Sequence, residues 1–194
     1  MRTPCHATPC HATNSHCLHC ACARAPLIVQ GGGAEWSVPD LSRTAASGLQ
    51  ELRFFVSIPP PRLSIEAVRG CAQLRKLSLE GSRVLDLTPL QGCSELRILD
   101  IRCCEVLKSL DGLQACGKLE SLDMRYCGMV NSVAPLAACH RLKTVNMSST
   151  SVASVAPLLK CAELEELSMR GCQLPPSELA ALKATLPRLH ILGP

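Results

Sequence analysis

The first 24 residues are rich in cysteine and histidine, two residue types that bind zinc. A Thr-Pro-Cys-His-Ala phrase occupies residues 3–7 and is repeated at residues 8–12. Zinc takes four such ligands in a tetrahedron, so Cys17 and Cys20 would supply one ligand pair. Cys5 or Cys10, together with a histidine, would supply the other pair. The candidate zinc ligands are therefore Cys5, Cys10, Cys17 and Cys20.

The spacing of these cysteines argues against an ordered zinc site. Only six residues lie between Cys10 and Cys17, whereas structural zinc modules separate their ligand pairs by about a dozen residues or more. The segment also has almost no large apolar residues to form a small core. We therefore expect a disordered leader, or a translated upstream stretch that is not part of the mature protein, and no bound cofactor.

A second candidate for chemistry is the neighbouring pair Cys139 and His140. A thiol beside an imidazole is the nucleophile and base of thiol hydrolases. However, Cys139 falls at a position that we expect to be buried, and no residue is placed to orient the histidine. The sequence therefore predicts a protein without catalytic activity.

The residues from Leu74 to Met169 repeat one phrase, L-x-x-L-x-L, five times. Its first leucines are separated by 22, 23, 23 and 22 residues and are Leu74, Leu96, Leu119, Leu142 and Leu164. Between the copies an apolar triplet spaced by three residues ends in cysteine, as in Leu87-Leu90-Cys93. Such a fixed period indicates a stacked repeat architecture.

The two phrases predict the secondary structure of each repeat. The alternation in L-x-L is typical of a short strand with one buried face, and the triplet favours a tight helical or extended return. A unit of 22 or 23 residues cannot bury its own apolar side, so neighbouring units must stack and their strands pair in parallel. The predicted fold class is an α/β-type repeat solenoid.

This pattern resembles the leucine-rich-repeat family from Leu49 to Leu192. The family places a small polar residue eight positions after the first leucine, and those positions here are Ser82, Cys104, Cys127, Thr150 and Cys172. The resemblance implies a horseshoe with a concave parallel β-sheet and short 3₁₀-helical, helical or extended convex segments. The repeat length is similar to that of internalins and phosphatase-regulating subunits. The motif in Pro89-Leu90-Cys93 also resembles leucine-rich-repeat proteins of kinetoplastids.

The composition of the chain indicates which kinds of partner and which cellular compartment to expect. The 194-residue chain carries a net charge of +4, and its lysines and arginines alternate with acidic residues along the repeats, so we expect no nucleic-acid partner. No apolar run reaches the 18 or so residues of a membrane span. Five of the 14 cysteines hold one repeat position and are expected to be buried, reduced thiols. Reduced thiols suit a cytoplasmic protein.

The chain divides into three predicted parts. Residues 1–33 form the Cys/His-rich leader and a glycine linker, and residues 34–48 form a possible N-terminal cap. Residues 49–194 form the repeat domain, with six repeats and a truncated seventh that opens at Leu189-x-x-Leu192. Before it, Ser177 is expected to cap a helix that begins after Pro175-Pro176.

The resemblance implies a non-catalytic scaffold or regulatory subunit that binds a protein of unknown identity, as a monomer, through the concave face and adjacent loops. The alternative is a zinc-binding, ubiquitin-ligase-type protein that uses the repeats for its substrate. A solvated face whose charges pair across strands would explain the same residues without a partner. The predicted contact residues are Arg53, Lys76, Ser78, Glu80, Ile98, Asp100, Arg102, Ser121, Asp123, Arg125, Tyr126, Asn146 and Arg170.

Overall fold

The computed structural model describes residues 10–12, 27–32, 48–58 and 63–193. They form one sheet of nine parallel strands that lie side by side in sequence order. The strands are β1 Cys10–Ala12, β2 Leu27–Gly32, β3 Glu51–Ile58, β4 Lys76–Ser78, β5 Ile98–Asp100, β6 Ser121–Asp123, β7 Thr144–Asn146, β8 Glu166–Ser168 and β9 His190–Leu192.

The register of the sheet follows the repeat. Leu77 of β4 lies opposite Leu99 of β5, which lies opposite Leu122 of β6. The same repeat position continues through Val145 and Leu167. This confirms the predicted strand in L-x-L and the parallel stacking of neighbouring repeats.

Short 3₁₀ helices form the returns between strands. They are η1 Glu66–Val68, η2 Thr88–Gly92, η3 Leu113–Ala115, η4 Ala134–Ala138 and η5 Ala156–Lys160. Each packs beside the next, and the single described α-helix, α1 Pro176–Thr185, packs against η5. An apolar residue at every third position suits this tighter helix, in which residues i and i+3 share a face. The predicted α/β-type horseshoe solenoid is confirmed.

The core lies between the sheet and the 3₁₀ helices. The leucines of the repeat phrase from Leu74 to Leu167 are at most 2% exposed, and Phe54 is 1% exposed. Leucine side chains from adjacent repeats therefore fill the space that aromatic rings fill in many other cores. A unit can bury its apolar side only against its neighbours, which makes stability a sum over repeat interfaces.

The repeated cysteines are part of this core. Cys93 Sγ donates a hydrogen bond to the carbonyl oxygen of Val68 at 3.4 Å, and Cys139 Sγ donates to that of Leu113 at 3.4 Å. Each thiol thus contacts the backbone of the preceding repeat. Burial raises the pKa of Cys93 and of Cys139 from 9.0 to about 12. The prediction that these cysteines are small buried core residues is confirmed.

The small residue after the strand bonds to backbone in four of the five repeats, at Cys104, Cys127, Thr150 and Cys172. Cys127 Sγ donates to the carbonyl oxygen of Ile101 in the preceding repeat at 3.0 Å. Thr150 differs, because its hydroxyl donates to the carbonyl oxygen of Met147 in its own repeat at 2.7 Å. Ser82 is fully buried, and its hydroxyl has no hydrogen-bond partner among the described residues.

The C-terminal end differs from the sequence prediction in two details. Helix α1 begins after Pro175 without a side-chain cap, so the predicted cap by Ser177 is wrong. The predicted register of the last repeat is wrong by one residue, because Ile191 rather than Leu192 lies opposite Leu167. Leu192 is consequently 41% exposed and lies beside Ser168 on the other face of the sheet.

Two strands fall within the predicted leader and linker. Strands β1 and β2 pair in parallel with each other, and β2 pairs with β3. Gly31 and Gly32, which were predicted to be part of a linker, lie at the end of β2. The remaining leader residues and the predicted cap at residues 34–48, except residue 48, lie outside the described residues, so the predicted domain boundaries stay predictions. None of the described helices is long and apolar enough to cross a membrane.

Candidate binding surface

The two faces of the sheet have different surroundings. In each strand from β4 to β8 the middle residue is buried against the 3₁₀ helices, while the residues on either side of it point away from that core. The side chains of this second face are exposed or half-buried, apart from Ser148 and Ser168, which are 9% and 8% exposed. We call it the open face; in a horseshoe it is the concave side. It consists of three rows of side chains that cross the strands.

The rows follow from the register. The first row precedes the buried residue of each strand and contains Glu51, Lys76, Ile98, Ser121, Thr144, Glu166 and His190. The second row follows the buried residue and contains Arg53, Ser78, Asp100, Asp123, Asn146, Ser168 and Leu192. The third row lies two residues further on and contains Glu80, Arg102, Arg125, Ser148 and Arg170.

The structure brings the predicted contact residues together on this face. Twelve of the thirteen belong to its three rows, and Tyr126 lies in the turn that follows β6. Arg53, Lys76, Glu80, Ile98, Tyr126 and Arg170 are exposed, and the other seven are half-buried. Their predicted role in binding a partner remains a prediction.

Asp100 and Arg102 form an ion pair with two parallel hydrogen bonds at the end of β5. Arg102 Nε donates to Asp100 Oδ1 at 2.9 Å, and Arg102 Nη2 donates to Asp100 Oδ2 at 2.9 Å. Nη2 also donates to Glu80 at 2.7 Å. These hydrogen bonds, chiefly those with Asp100, raise the pKa of Arg102 above its usual value. The guanidinium is thus held by two carboxylates.

The same pair recurs one strand further on. Arg125 Nε donates to Asp123 Oδ1 at 3.0 Å, and its Nη2 donates to Oδ2 at 2.8 Å. Hydrogen bonding with Asp123 raises the pKa of Arg125. Asp123 lies 3.9 Å from Arg102 as well, which links the two pairs. The charges therefore pair mainly within a repeat and only secondarily across strands, in contrast to the purely cross-strand pairing considered from the sequence.

The pairing stops at β7 and β8. Asn146 occupies the second-row position in β7, and its Oδ1 accepts the Ser148 N–H at 3.2 Å. In β8 that position is Ser168, whose hydroxyl lies 3.0 Å from the Ser148 hydroxyl. Arg170 follows as the third-row residue and makes no ion pair with any described residue. The open face is therefore charge-compensated around β5 and β6 but not around Arg170.

The first row carries an isolated apolar residue. Ile98 is 40% exposed and lies between Lys76 and Ser121 of the neighbouring strands. Ser121 Oγ accepts a hydrogen bond from Thr144 Oγ1 at 2.8 Å, so the row becomes a polar network beyond it. Among the described side chains of β4 to β8, Ile98 is the one exposed large apolar residue.

The turn after each strand adds side chains at the edge of this face. Cys103, Tyr126 and Ser149 occupy one repeat position and have φ values of 57°, 62° and 57°, a conformation uncommon for residues other than glycine. Tyr126 is 59% exposed, and Met129 in the same turn is 47% exposed. Tyr126 was predicted from the sequence and Met129 was not, although Val106 holds the equivalent position one repeat earlier.

The structure describes one candidate for chemistry, the pair Cys139 and His140, and only part of the other, the zinc ligands of the leader. Cys139 is buried and bonded to backbone, whereas His140 is exposed with Nδ1 3.3 Å from the carbonyl oxygen of Lys160. The pair is therefore not arranged as nucleophile and base. Of the candidate zinc ligands, only the backbone of Cys10 is described, so the zinc hypothesis lies outside the described residues. Those residues contain no group of three or more histidine, cysteine or acidic side chains that could hold a metal ion.

Comparisons with known proteins rest on structure. No family model matches the sequence, and no curated protein matches it. An internalin, InlF, from Listeria monocytogenes is similar over 86% of this chain, with a TM-score of 0.66 and 18% identity. Internalin C2 from the same species has a TM-score of 0.59 and 22% identity over 75% of this chain. The leucine-rich-repeat domain of the type III effector XopL has a TM-score of 0.63 and 20% identity over 89% of it.

The lengths of these neighbours differ from that of this chain. The chain covers 53% of the InlF chain and 63% of the internalin C2 chain, but 70% of the XopL domain. At these identities the likeness concerns the fold. Nothing in these comparisons or among the described residues supports a zinc-binding ubiquitin ligase.

Proposed function

We propose that this chain, which has the leucine-rich-repeat fold, is a non-catalytic module that binds a protein partner through the open face and the turns beside it. As part of this proposal the chain is a scaffold or regulatory subunit and works as a monomer in the cytoplasm. One observation carries the proposal. The sheet has one face packed against the core and a second face whose side chains are mostly exposed or half-buried, with the exposed Ile98 at its centre.

The composition of the open face supports a protein partner over a nucleic acid. Its three rows contain five basic residues and five acidic residues, so the face carries no excess of positive charge. The basic residues are Arg53, Lys76, Arg102, Arg125 and Arg170. The acidic residues are Glu51, Glu80, Asp100, Asp123 and Glu166. A nucleic-acid site would need a surplus of lysine and arginine along its surface.

The size of the face indicates that the turns contribute to binding. The seven strands from β3 to β9 span about 29 Å at about 4.8 Å per strand. The three rows span about 13 Å along the strands, so the face offers about 400 Å², whereas a standard interface buries about 800 Å² on each partner. Tyr126 and Met129 extend the surface at the strand ends. Aromatic residues and methionine are enriched in protein interfaces.

The proposal is tested by affinity capture from an extract of the source cells. The open-face variant combines Ile98→Thr, which keeps a β-branched residue in the strand, with Tyr126→Asn, which tolerates a positive φ. The control variant combines Lys160→Gln with Glu163→Gln, two exposed residues on the return side. Circular dichroism first checks that both variants are folded.

We expect wild type and the control variant to retain the same partner protein and the open-face variant to lose it. Equal retention by all three forms would place the binding surface elsewhere and contradict the proposal. The proposal would also be contradicted if the wild type captured no protein beyond those bound by an unrelated repeat protein of similar charge.

A further inference from the structure

We infer that the part of the open face around Arg170 binds a carboxylate of the partner, and that the partner therefore presents an acidic peptide segment there. This inference rests on the proposed function and specifies its partner. It begins from a comparison of three equivalent arginines in one row, Arg102, Arg125 and Arg170. Each follows its second-row residue by two positions.

In the first two arginines, the edge of the guanidinium formed by Nε and Nη2 is already occupied. Arg102 and Arg125 each use Nε and Nη2 to hold the aspartate of their own repeat, at distances between 2.8 and 3.0 Å. This edge is one of the two on a guanidinium that can receive a carboxylate in a two-bond pair. Asp100 and Asp123 therefore already occupy the position that a carboxylate of a partner would take.

Arg170 lacks this internal carboxylate. Ser168 stands at the position of Asp100 and Asp123, and Arg170 is exposed without an ion pair to any described residue. Glu166, the acidic residue of β8, is one row further away and likewise makes no ion pair with a described residue. The guanidinium of Arg170 thus has the same place in the repeat as the other two but has its ligand edge available.

Ser168 in place of an aspartate removes a negative charge from β8 but leaves the hydrogen bonding of the turn intact. In β5 and β6 the aspartate Oδ1 also accepts a hydrogen bond from the backbone N–H of the arginine two residues later, at 3.2 and 3.3 Å. In β8 the Arg170 N–H is accepted by the Ser148 hydroxyl at 3.2 Å. The backbone of the turn is therefore satisfied without a carboxylate. What β8 lacks is only the negative charge that would neutralise its arginine.

The surroundings of Arg170 suit a peptide better than a free ion. A Cβ added to Gly193 would lie 2.9 Å from Arg170 Cγ, so the arginine stem passes closely over this glycine. In the neighbouring strand Leu192 is 41% exposed and lies beside Ser168. A guanidinium next to an exposed leucine matches a segment that carries a glutamate or aspartate close to an apolar side chain. The guanidinium binds the carboxylate, and the apolar side chain covers Leu192.

The inference is tested by fluorescence anisotropy with two labelled peptides. One alternates glutamate and leucine, and the other has glutamine in place of every glutamate. We expect wild type to bind the glutamate peptide at least tenfold more tightly than the glutamine peptide. Arg170→Gln should remove about tenfold of this affinity, whereas Lys160→Gln, which removes one positive charge on the return side, should leave it unchanged within twofold.

Two further variants change the availability of an arginine without removing one. Ser168→Asp restores the internal carboxylate beside Arg170 and should weaken binding of the glutamate peptide as much as Arg170→Gln does. Asp123→Asn keeps an acceptor for the turn, as Asn146 does in β7, but frees Arg125. It should strengthen binding severalfold. This gain keeps the inference testable even if Ser168→Asp does not fold.

Several results would overturn the inference. They are equal affinity for the two peptides, unchanged affinity in Arg170→Gln, or no gain in Asp123→Asn. A phosphate ligand would be indicated if inorganic phosphate displaced the peptide far better than chloride at equal ionic strength, and this too would overturn the peptide assignment. The proposed function is judged separately: if Ile98→Thr with Tyr126→Asn loses the captured partner while Arg170→Gln keeps it, the inference fails and the proposed function stands.

Discussion

Arg102 forms a two-bond ion pair with Asp100, in which Nε and Nη2 each donate to a different carboxylate oxygen at 2.9 Å. The same guanidinium reaches Glu80 of the preceding repeat and lies 3.9 Å from Asp123 of the following one. One arginine therefore connects three neighbouring repeats across the open face. Since the groups are partly exposed, the main effect of this network is to fix the arrangement of side chains on the face.

A double-mutant cycle of Asp100→Asn and Arg102→Gln measures this connection. We expect a coupling free energy of about 0.5–1 kcal/mol, because a partly exposed ion pair with good geometry lies at the upper end of the usual range. The coupling should decrease at high salt, which screens exposed charges. Urea unfolding of the four forms at low and high salt gives the value. Coupling that is absent at low salt would show that the pair is not formed in solution.

Alkaline pH should destabilise the fold through its buried thiols. Burial raises the pKa of Cys93 and Cys139 from 9.0 to about 12, and that of Cys116 and Cys161 to about 11. Above about pH 9 the unfolded chain therefore loses these protons while the folded chain keeps them. The contribution of each thiol to stability is fully present below about pH 9 and decreases as the pH rises through its folded pKa.

The measurement is the free energy of unfolding in urea from about pH 8 to about pH 11. Each unit of pKa difference corresponds to about 1.4 kcal/mol per thiol at the limit, so several thiols together should produce a steep decline. Cys139→Ala is expected to be less stable at pH 8 but to lose less stability on going to pH 11 than wild type. An equally steep decline in the variant would assign the alkaline sensitivity to other groups.

A glycine in η2 is required by the close approach of two repeats. A Cβ added at Gly92 would lie 1.9 Å from the carbonyl oxygen of Arg69, a backbone atom that cannot move independently of its repeat. Gly92→Ala should therefore lower the free energy of unfolding by about 1–3 kcal/mol, the usual cost of forcing an extra carbon into a packed region.

Gly128→Ala is the matched control for this substitution. A Cβ at Gly128 would meet nothing within 4 Å, so its stability should stay within about 0.5 kcal/mol of wild type. The measurement is the thermal unfolding midpoint of each variant, which should fall for Gly92→Ala and stay near that of wild type for Gly128→Ala. Equal midpoints for the two variants would mean that η1 and η2 are further apart in solution than in the structure.

The sequence predicted the architecture because the repeat makes each inference several times over. An error at one strand would have conflicted with the spacing of the four others, so the register of Leu77, Leu99 and Leu122 was well determined. At the last repeat no following copy supplied such a check. There the spacing favoured Leu192 as the buried strand residue, and the structure places Ile191 in that position.

One periodic signal was overlooked. A serine or aspartate precedes each 3₁₀ helix, and its side-chain oxygen accepts the backbone N–H two residues later at 2.7–3.4 Å. These residues are Ser64, Asp86, Ser109, Ser132 and Ser154. Their spacing of 22, 23, 23 and 22 residues equals that of the leucines, so the sequence contained this pattern. Local turns of this type are a known preference of serine and aspartate.

The pairing on the open face was harder to foresee. Position in a repeat indicates which side chains share a row, but it does not indicate which carboxylate each arginine will choose. An arginine follows each of Asp100 and Asp123 two residues later, and a second arginine lies in a neighbouring repeat. The turn after the strand brings the arginine of the same repeat closest, and that geometry is known only once the backbone is known.

Glu178 attaches the C-terminal helix to the repeat beneath it. Its Oε2 accepts the Val155 N–H at 2.7 Å and the Ser154 hydroxyl at 3.1 Å. Helix α1 packs against η5, and Leu182 is its one buried residue. With so little apolar surface on the helix, a charged acceptor for a half-buried N–H is a substantial part of its attachment. Removing an acceptor from such a group costs about 1–3 kcal/mol.

We therefore expect Glu178→Ala to destabilise the C-terminal end by about 1–2 kcal/mol and to accelerate hydrogen exchange at the Val155 amide. Glu178→Gln retains an acceptor oxygen and should preserve most of the protection. Glu163→Ala is the control, since Glu163 is exposed in the turn after η5. If exchange at Val155 were unchanged in Glu178→Ala, α1 would be held by its apolar contacts alone. Exchange that rose equally at Val145 in β7 would instead indicate cooperative loss of the neighbouring repeat, as expected where stability is shared between adjacent units.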